Sequence, residues 1–230
     1  MRYFTGTDYP GAPGRASRAR RDNAPIARAA ASTPSDAMTF LVLGLLLFLG
    51  VHSVRIVAEP WRQQTLARIG PGAWKGLYSL ASAVGLGLII WGYGQARAEP
   101  VMLWTPQLWA RHLGFVLTLV SFVLLAAAYV PGNHLKAAVK HPMVLGVKVW
   151  ALAHLLANHT LADAVLFGSF LVWAVLDFRA ARQRDRAEGT VYPAGRVVPT
   201  VITVVAGVIA WAVFAMALHR VLIGVSVMGR

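Results

Sequence analysis

The chain contains no cysteine in 230 residues. That absence removes disulfides, thiolate metal ligands, cysteine nucleophiles and iron–sulfur clusters together. Acidic residues are scarce too, nine Asp and Glu against 22 Lys and Arg, and all lie at or beyond the ends of the apolar runs. Asp163 and Asp177 come closest to membrane depth, which leaves little for a carboxylate proton relay or a cation transporter. Soluble-enzyme signatures are missing as well: there is no GxxxxGK[ST] loop, no HExxH and no GxSxG.

What is present is apolar. Hydrophobic residues make up 57% of the chain, charged residues 13%, and the mean hydropathy is +0.57. Six runs, 39–57, 76–94, 108–129, 142–158, 161–177 and 200–223, each approach the ~20 residues that span a bilayer. They are nearly continuous rather than alternating at every second residue, and spanning strands would need a closed barrel with polar lumen positions. The expected fold is therefore all-α, a polytopic membrane helix bundle of about six transmembrane helices, forming one domain over residues 38–230.

The net charge of +13 does not point to nucleic acid, because the basic residues fall in the tail and in loops between apolar runs. The stretches 58–75, 131–142 and 178–199 hold ten of them: Arg62, Arg68, Lys75, Lys136, Lys140, Arg179, Arg182, Arg184, Arg186 and Arg196. The other side offers Arg97, Arg230 and, near helix ends, Arg111 and Arg220. The richer side is expected to be cytoplasmic, in a cell inner membrane, with lipid as the first partner. Residues 1–37, biased to Pro, Gly, Ala, Ser and Arg, read as a disordered tail. Met38 stands directly before the first apolar run, and translation is expected to start there; otherwise Arg2, Arg15, Arg18, Arg20, Arg21 and Arg28 would argue for a cytoplasmic N-terminus.

Two histidines lie deep in apolar runs. In FLVLGLLLFLGVHSVRIVA, His52 and Arg55 share a face at a spacing of three. Arg55 could snorkel to headgroups while His52 bonds a neighbouring helix. In KHPMVLGVKVWALAHLLANH, Trp150, His154 and Asn158 recur every four residues, with Lys148 on another face. At ~1.5 Å per residue, His52 lies roughly 8 Å and His154 roughly 18 Å from the basic side, an offset of about 10 Å. Neutral imidazoles between helices suit axial ligation of haem iron, and Arg55, Lys148 or Lys136 could meet the propionates. His112, His159 and His219 read as helix-end residues, His134 as a loop residue, and His141 as the mark of a helix start before Pro142. Ser79, Ala81, Ser82 and Gly85 favour close helix packing, and Tyr78 reads as an interfacial anchor.

The segments LFLGVHSVRI, GLYSLASAVGLGLIIWGYG and KHPMVLGVKVWALAHLLANHTLADAVLFGSFLVWAV, in this order over residues 38–223, resemble the bacterial NnrU membrane proteins. That resemblance implies a context in denitrification and nitric oxide metabolism. The same domain is similar to zeta-carotene isomerase, a membrane enzyme whose haem b is held by histidines of the first and third segments, which correspond to His52 and His154. The isomerase carries a cysteine three residues before the second histidine; Ala151 stands there in this chain, so thiol-linked ligand exchange is excluded. KHPMVLG also resembles the RHPxYxG segment of membrane methyltransferases that bind S-adenosylmethionine. Lys140, His141, Pro142 and Gly146 match, Val144 replaces the tyrosine, and only Asp185 and Glu188, expected in a loop, stand in for the downstream glutamates. The resemblances leave three readings: a haem protein or haem-dependent cis-trans isomerase, an accessory protein of a respiratory or denitrification complex, and a methyltransferase.

Overall fold

The computed structural model describes residues 34–105 and 107–227; the expectation for the tail lies outside the described residues up to position 33. The helices are α1 (Pro34–Val57), α2 (Glu59–Ala96), α3 (Leu108–Tyr129), α4 (His134–Val139), α5 (Pro142–Ala157), α6 (Leu161–Glu188), α7 (Val197–Val213) and α8 (His219–Ile223), with a π-helical turn, Phe214–Leu218, between the last two. The all-α bundle is as expected, and no strand occurs among the described residues.

The boundaries differ in instructive ways. Helix α1 starts at Pro34, four residues ahead of Met38. The stretch 58–75, expected as a loop, is helical, and Gly70 (φ 82°, ψ 162°) followed by Pro71 breaks it into a short N-terminal piece and the long apolar rod. The α6 helix runs past the apolar stretch to Glu188, capped by Gly189 in the left-handed region, so Asp185 and Glu188 are helical. Five helices are long and apolar enough to cross a membrane. The sixth apolar helix, α5, has 16 residues; at ~1.5 Å each it reaches about 24 Å, short of a ~30 Å hydrocarbon core.

Glycine sets the helix contacts. A Cβ on Gly44 would stand 2.6 Å from the Ile89 amide, one on Gly85 would stand 2.8 Å from the Phe48 amide, and one on Gly92 would run into the Leu41 amide. The three pairs share one antiparallel register, so α1 and α2 touch backbone to backbone along two turns. The same device joins α3 to α5, where a Cβ on Gly114 would stand 2.8 Å from the Ala153 carbonyl and one on Gly146 3.2 Å from that of Ser121. It also joins α3 to α7, where Gly207 meets Val123. Helix α6 then packs on both α1 and α5. Large side chains such as Leu46, Leu80, Val116, Ile202 and Ile209 remain exposed around this frame, as a lipid-facing surface requires.

Polar ties close both ends of the bundle. At the basic end Arg196 donates its backbone N–H to Gly132, and Asn133, almost fully buried, bonds the Ala127 and Val130 carbonyls. At the opposite end Thr160 and Asp163 cap α6 reciprocally, and the Tyr93 hydroxyl donates to the same Asp163 carboxylate, only 6% exposed.

Gly92→Ala is expected to destabilise the bundle by about 1–3 kcal/mol through overpacking. Gly87→Ala, where a Cβ meets nothing within 4 Å, should leave thermal midpoints in detergent unchanged; equal midpoints for the two variants would refute backbone contact between α1 and α2. Asp163→Ala should cost about 1–3 kcal/mol because it strips a helix cap and leaves a buried tyrosine hydroxyl unpaired. Tyr93→Phe should cost less, since Thr160 keeps its partner, and the reverse order in thermal unfolding would contradict the network.

Candidate functional site

His52 sits near the basic end of α1, and His154 in the last turn of α5, next to the Asn158 cap at the opposite end. His154 is thus at a helix end, because α5 stops at Ala157. Each ring is tied to its own helix. His52 Nδ1–H donates to the Phe48 carbonyl at 2.7 Å, and His154 Nδ1–H to the Trp150 carbonyl at 2.9 Å. A carbonyl only accepts, so the neutral ring carries its proton on Nδ1 and presents the Nε2 lone pair. The snorkelling reading had His52 bonding a neighbouring helix, whereas its Nδ1 bond runs to its own.

An aromatic set joins the two positions. His52 stacks on Phe48 (centroids 4.3 Å apart), Phe48 meets Phe170 at 5.9 Å, Phe170 meets Trp150 at 5.6 Å, and Trp150 lies 4.9 Å from His154. Phe167 stacks on His154 at 4.6 Å. The two imidazoles make no ring contact with one another, because α6, through Phe167 and Phe170, stands between α1 and α5. Tyr78, expected as an interfacial anchor, instead faces His52 at 5.1 Å. Trp173 stands edge-on to His52 at 6.0 Å, and its indole N–H is buried without a partner. An open groove of about 510 Å³ between α1 and α6, walled by Leu49, Ser53, Gly168, Ser169 and Trp173, runs beside it. His159, read as a solvated helix-end residue, has a buried Nδ1 without a partner.

Arg55 is exposed in the last turn of α1, and its carbonyl accepts from Arg184 at 3.4 Å. Lys148 lies about 120° round α5 from His154, with its ammonium 5.3 Å from the centroid of Phe178. The structure thus groups Lys148 with a second cluster. There His141 Nε2–H donates to Asp185 at 2.8 Å, Arg182 reaches the same carboxylate at 3.2 Å, and the Tyr192 hydroxyl donates to both its oxygens at 3.1 and 3.2 Å. Burial, and then the hydrogen bond to Asp185, raise the Tyr192 hydroxyl above the ordinary tyrosine range, so it stays a donor. His141 does more than mark a helix start. The sequence hid this cluster because Asp185 lies 44 residues from His141, and only the continuation of α6 to Glu188 turns it towards α5. The aromatic set was legible only as Trp150 on the His154 face; Phe48, Phe167 and Phe170 looked like ordinary apolar positions.

Residues 40–227 match the family model described as NnrU protein. No curated protein and no solved structure matches the chain. The match spans most of the sequence, from within α1 to the end of the described helices, and the chain belongs to the NnrU family.

Proposed function

We propose that this NnrU-family protein is a haem b protein of the inner membrane, with its basic loops on the cytoplasmic side, serving nitrogen-oxide metabolism. The observation that carries this reading is the shared state of His52 and His154: both Nδ1–H groups are spent on a carbonyl of their own helix, so both Nε2 lone pairs are left for a ligand. Metal-binding histidines are oriented in this way by a hydrogen bond on the other ring nitrogen. In a chain without cysteine, two neutral imidazoles are a donor set that suits a ferric or ferrous porphyrin and few other redox groups. The unpartnered indole N–H of Trp173 beside His52 adds a donor that awaits an acceptor.

When bound, the haem would supply one-electron chemistry. His52 and His154 are the residues that would ligate it, Phe48, Phe170 and Trp150 would exclude water from it, and Arg55 at the basic end would meet a propionate. The association with denitrification and nitric oxide comes with the family resemblance, and electron partners among respiratory or denitrification proteins are part of the same proposal.

Full-length protein purified in detergent from cells fed a haem precursor should show near-stoichiometric b-type haem by pyridine haemochrome, with sharp bands on dithionite reduction. His52→Ala and His154→Ala should each reduce the haem content to background while helix content by circular dichroism stays unchanged. Folded wild-type protein free of haem, or a double variant with undiminished haem, would overturn the reading.

A further inference from the structure

His141, the residue before α5, stands seven residues from Lys148, and Phe178 and Asp185 stand seven apart on one face of α6. Packing of the two helices brings these residues together, His141 to Asp185 and Lys148 to Phe178. Around the His141–Asp185 pair, two ammonium groups have aromatic rather than acidic neighbours. Lys140 Nζ lies 5.6 Å from the centroid of Tyr192 and Lys148 Nζ 5.3 Å from that of Phe178. Both rings touch His141 edge-on, each at 6.1 Å. Among the described residues, neither ammonium has a hydrogen-bonded or ion-paired partner.

Holding the two lysines in this way is costly. Lys140 is the one described non-glycine residue at positive φ (69°), and the His141 N–H closes on the Val139 carbonyl at 2.8 Å, a strained three-residue γ-turn. Such backbone persists only where its surroundings fix it. Lys148 is the sole Lys, Arg, Asp or Glu of the apolar helix α5, where an ammonium is expensive unless it is used. The positive charge is not cancelled locally. Asp185 is already matched by His141, Arg182 and Tyr192; of the other carboxylates at this end, Asp177 lies among Arg55, Arg184, His52 and His141, Glu59 pairs with Arg62, and the exposed Glu188 is ion-paired to neither lysine.

We propose that Lys140 and Lys148, on either side of the His141–Asp185 pair, form a phosphate-binding site at the basic end of α5. Lysines act on phosphate as point charges, and the His141 ring, whose Nε2–H is held by Asp185, adds an Nδ1–H donor in its protonated form. The site lies at the level where apolar helix gives way to basic loop, which is the depth of lipid phosphates, so its occupant is the headgroup of an anionic phospholipid or a soluble phosphate ester. It stands apart from His52 and His154 and does not depend on haem.

The test is native mass spectrometry of the full-length protein from micelles doped with phosphatidylglycerol or phosphatidylcholine, with inorganic phosphate titrated into each. Wild type should retain phosphatidylglycerol over phosphatidylcholine, and the K140Q/K148Q double variant should lose roughly ten- to thirty-fold of that retention. A lysine-dependent adduct that millimolar phosphate does not displace identifies the lipid as occupant, whereas lysine-dependent binding of phosphate itself identifies a soluble ester. If neither ligand distinguishes wild type from K140Q/K148Q, the proposal is wrong. Lys140→Gly relieves the turn, so it should raise the thermal midpoint while weakening phosphate binding, and K140R/K148R should restore it. Loss of both stability and binding in Lys140→Gly would assign the turn to folding and overturn the role of Lys140.

Discussion

A bilayer gives apolar helices no hydrophobic reason to prefer one another to lipid, so the bundle depends on how closely its backbones can approach. Glycine supplies that approach at each principal contact of the frame: Gly44, Gly85 and Gly92 between α1 and α2, Gly114 and Gly146 between α3 and α5, Gly207 between α3 and α7. Dispersion falls steeply with distance, so removing one Cβ from a crossing tightens every neighbouring pair as well. Ser121 shows what such proximity adds, since it is fully buried and its hydroxyl donates to the Gly146 carbonyl at 2.9 Å, a bond possible only because α5 lies against α3.

Helix α6 is the exception, for it joins the two halves of the frame with larger side chains and with polar ends. Phe167 and Phe170 reach α5 and α1, Asp163 ties the opposite end to Tyr93, and Asp185 ties the basic end to His141. Both carboxylates lie towards the ends of α6 and are hydrogen-bonded, which limits the penalty of charge in an apolar bundle. The polar bonds therefore fix register at the two ends, and the apolar middle needs only to fill space.

The sequence revealed the six apolar helices and the all-α class, because continuous hydrophobicity and 3.6-residue spacing are local properties. It also marked Gly85 as a packing residue. It did not reveal where helices continue through polar composition: Glu59–Ile69 and Arg179–Glu188 read as loops, since hydropathy senses lipid depth rather than helicity. The His141–Asp185–Tyr192 cluster escaped for the same reason. Its members are distant in the chain and join only when α6 is extended and the 189–196 connection folds back on it. The short length of α5 was equally hidden, because Asn158 and His159 continue the apolar-looking stretch but leave the helix.

The placement of α6 has a consequence for the histidines. Since α1 and α5 do not pack on each other, the separation of His52 and His154 is set by the rings of α6 that lie between them. The chain thus holds two imidazoles in matching tautomers on helices that could move apart or together without breaking any glycine contact, because those contacts lie within the α1–α2 pair and within the α3–α5–α7 group. Phe170 is the pivot of that relation, touching Phe48 on one side and Trp150 on the other. A side-chain change there alters the space between the histidines while leaving both Nδ1 hydrogen bonds intact, since each is made inside its own helix. The frame fixes the chemistry of each ring locally and leaves their spacing to the packing of α6 against α1 on one side and α5 on the other.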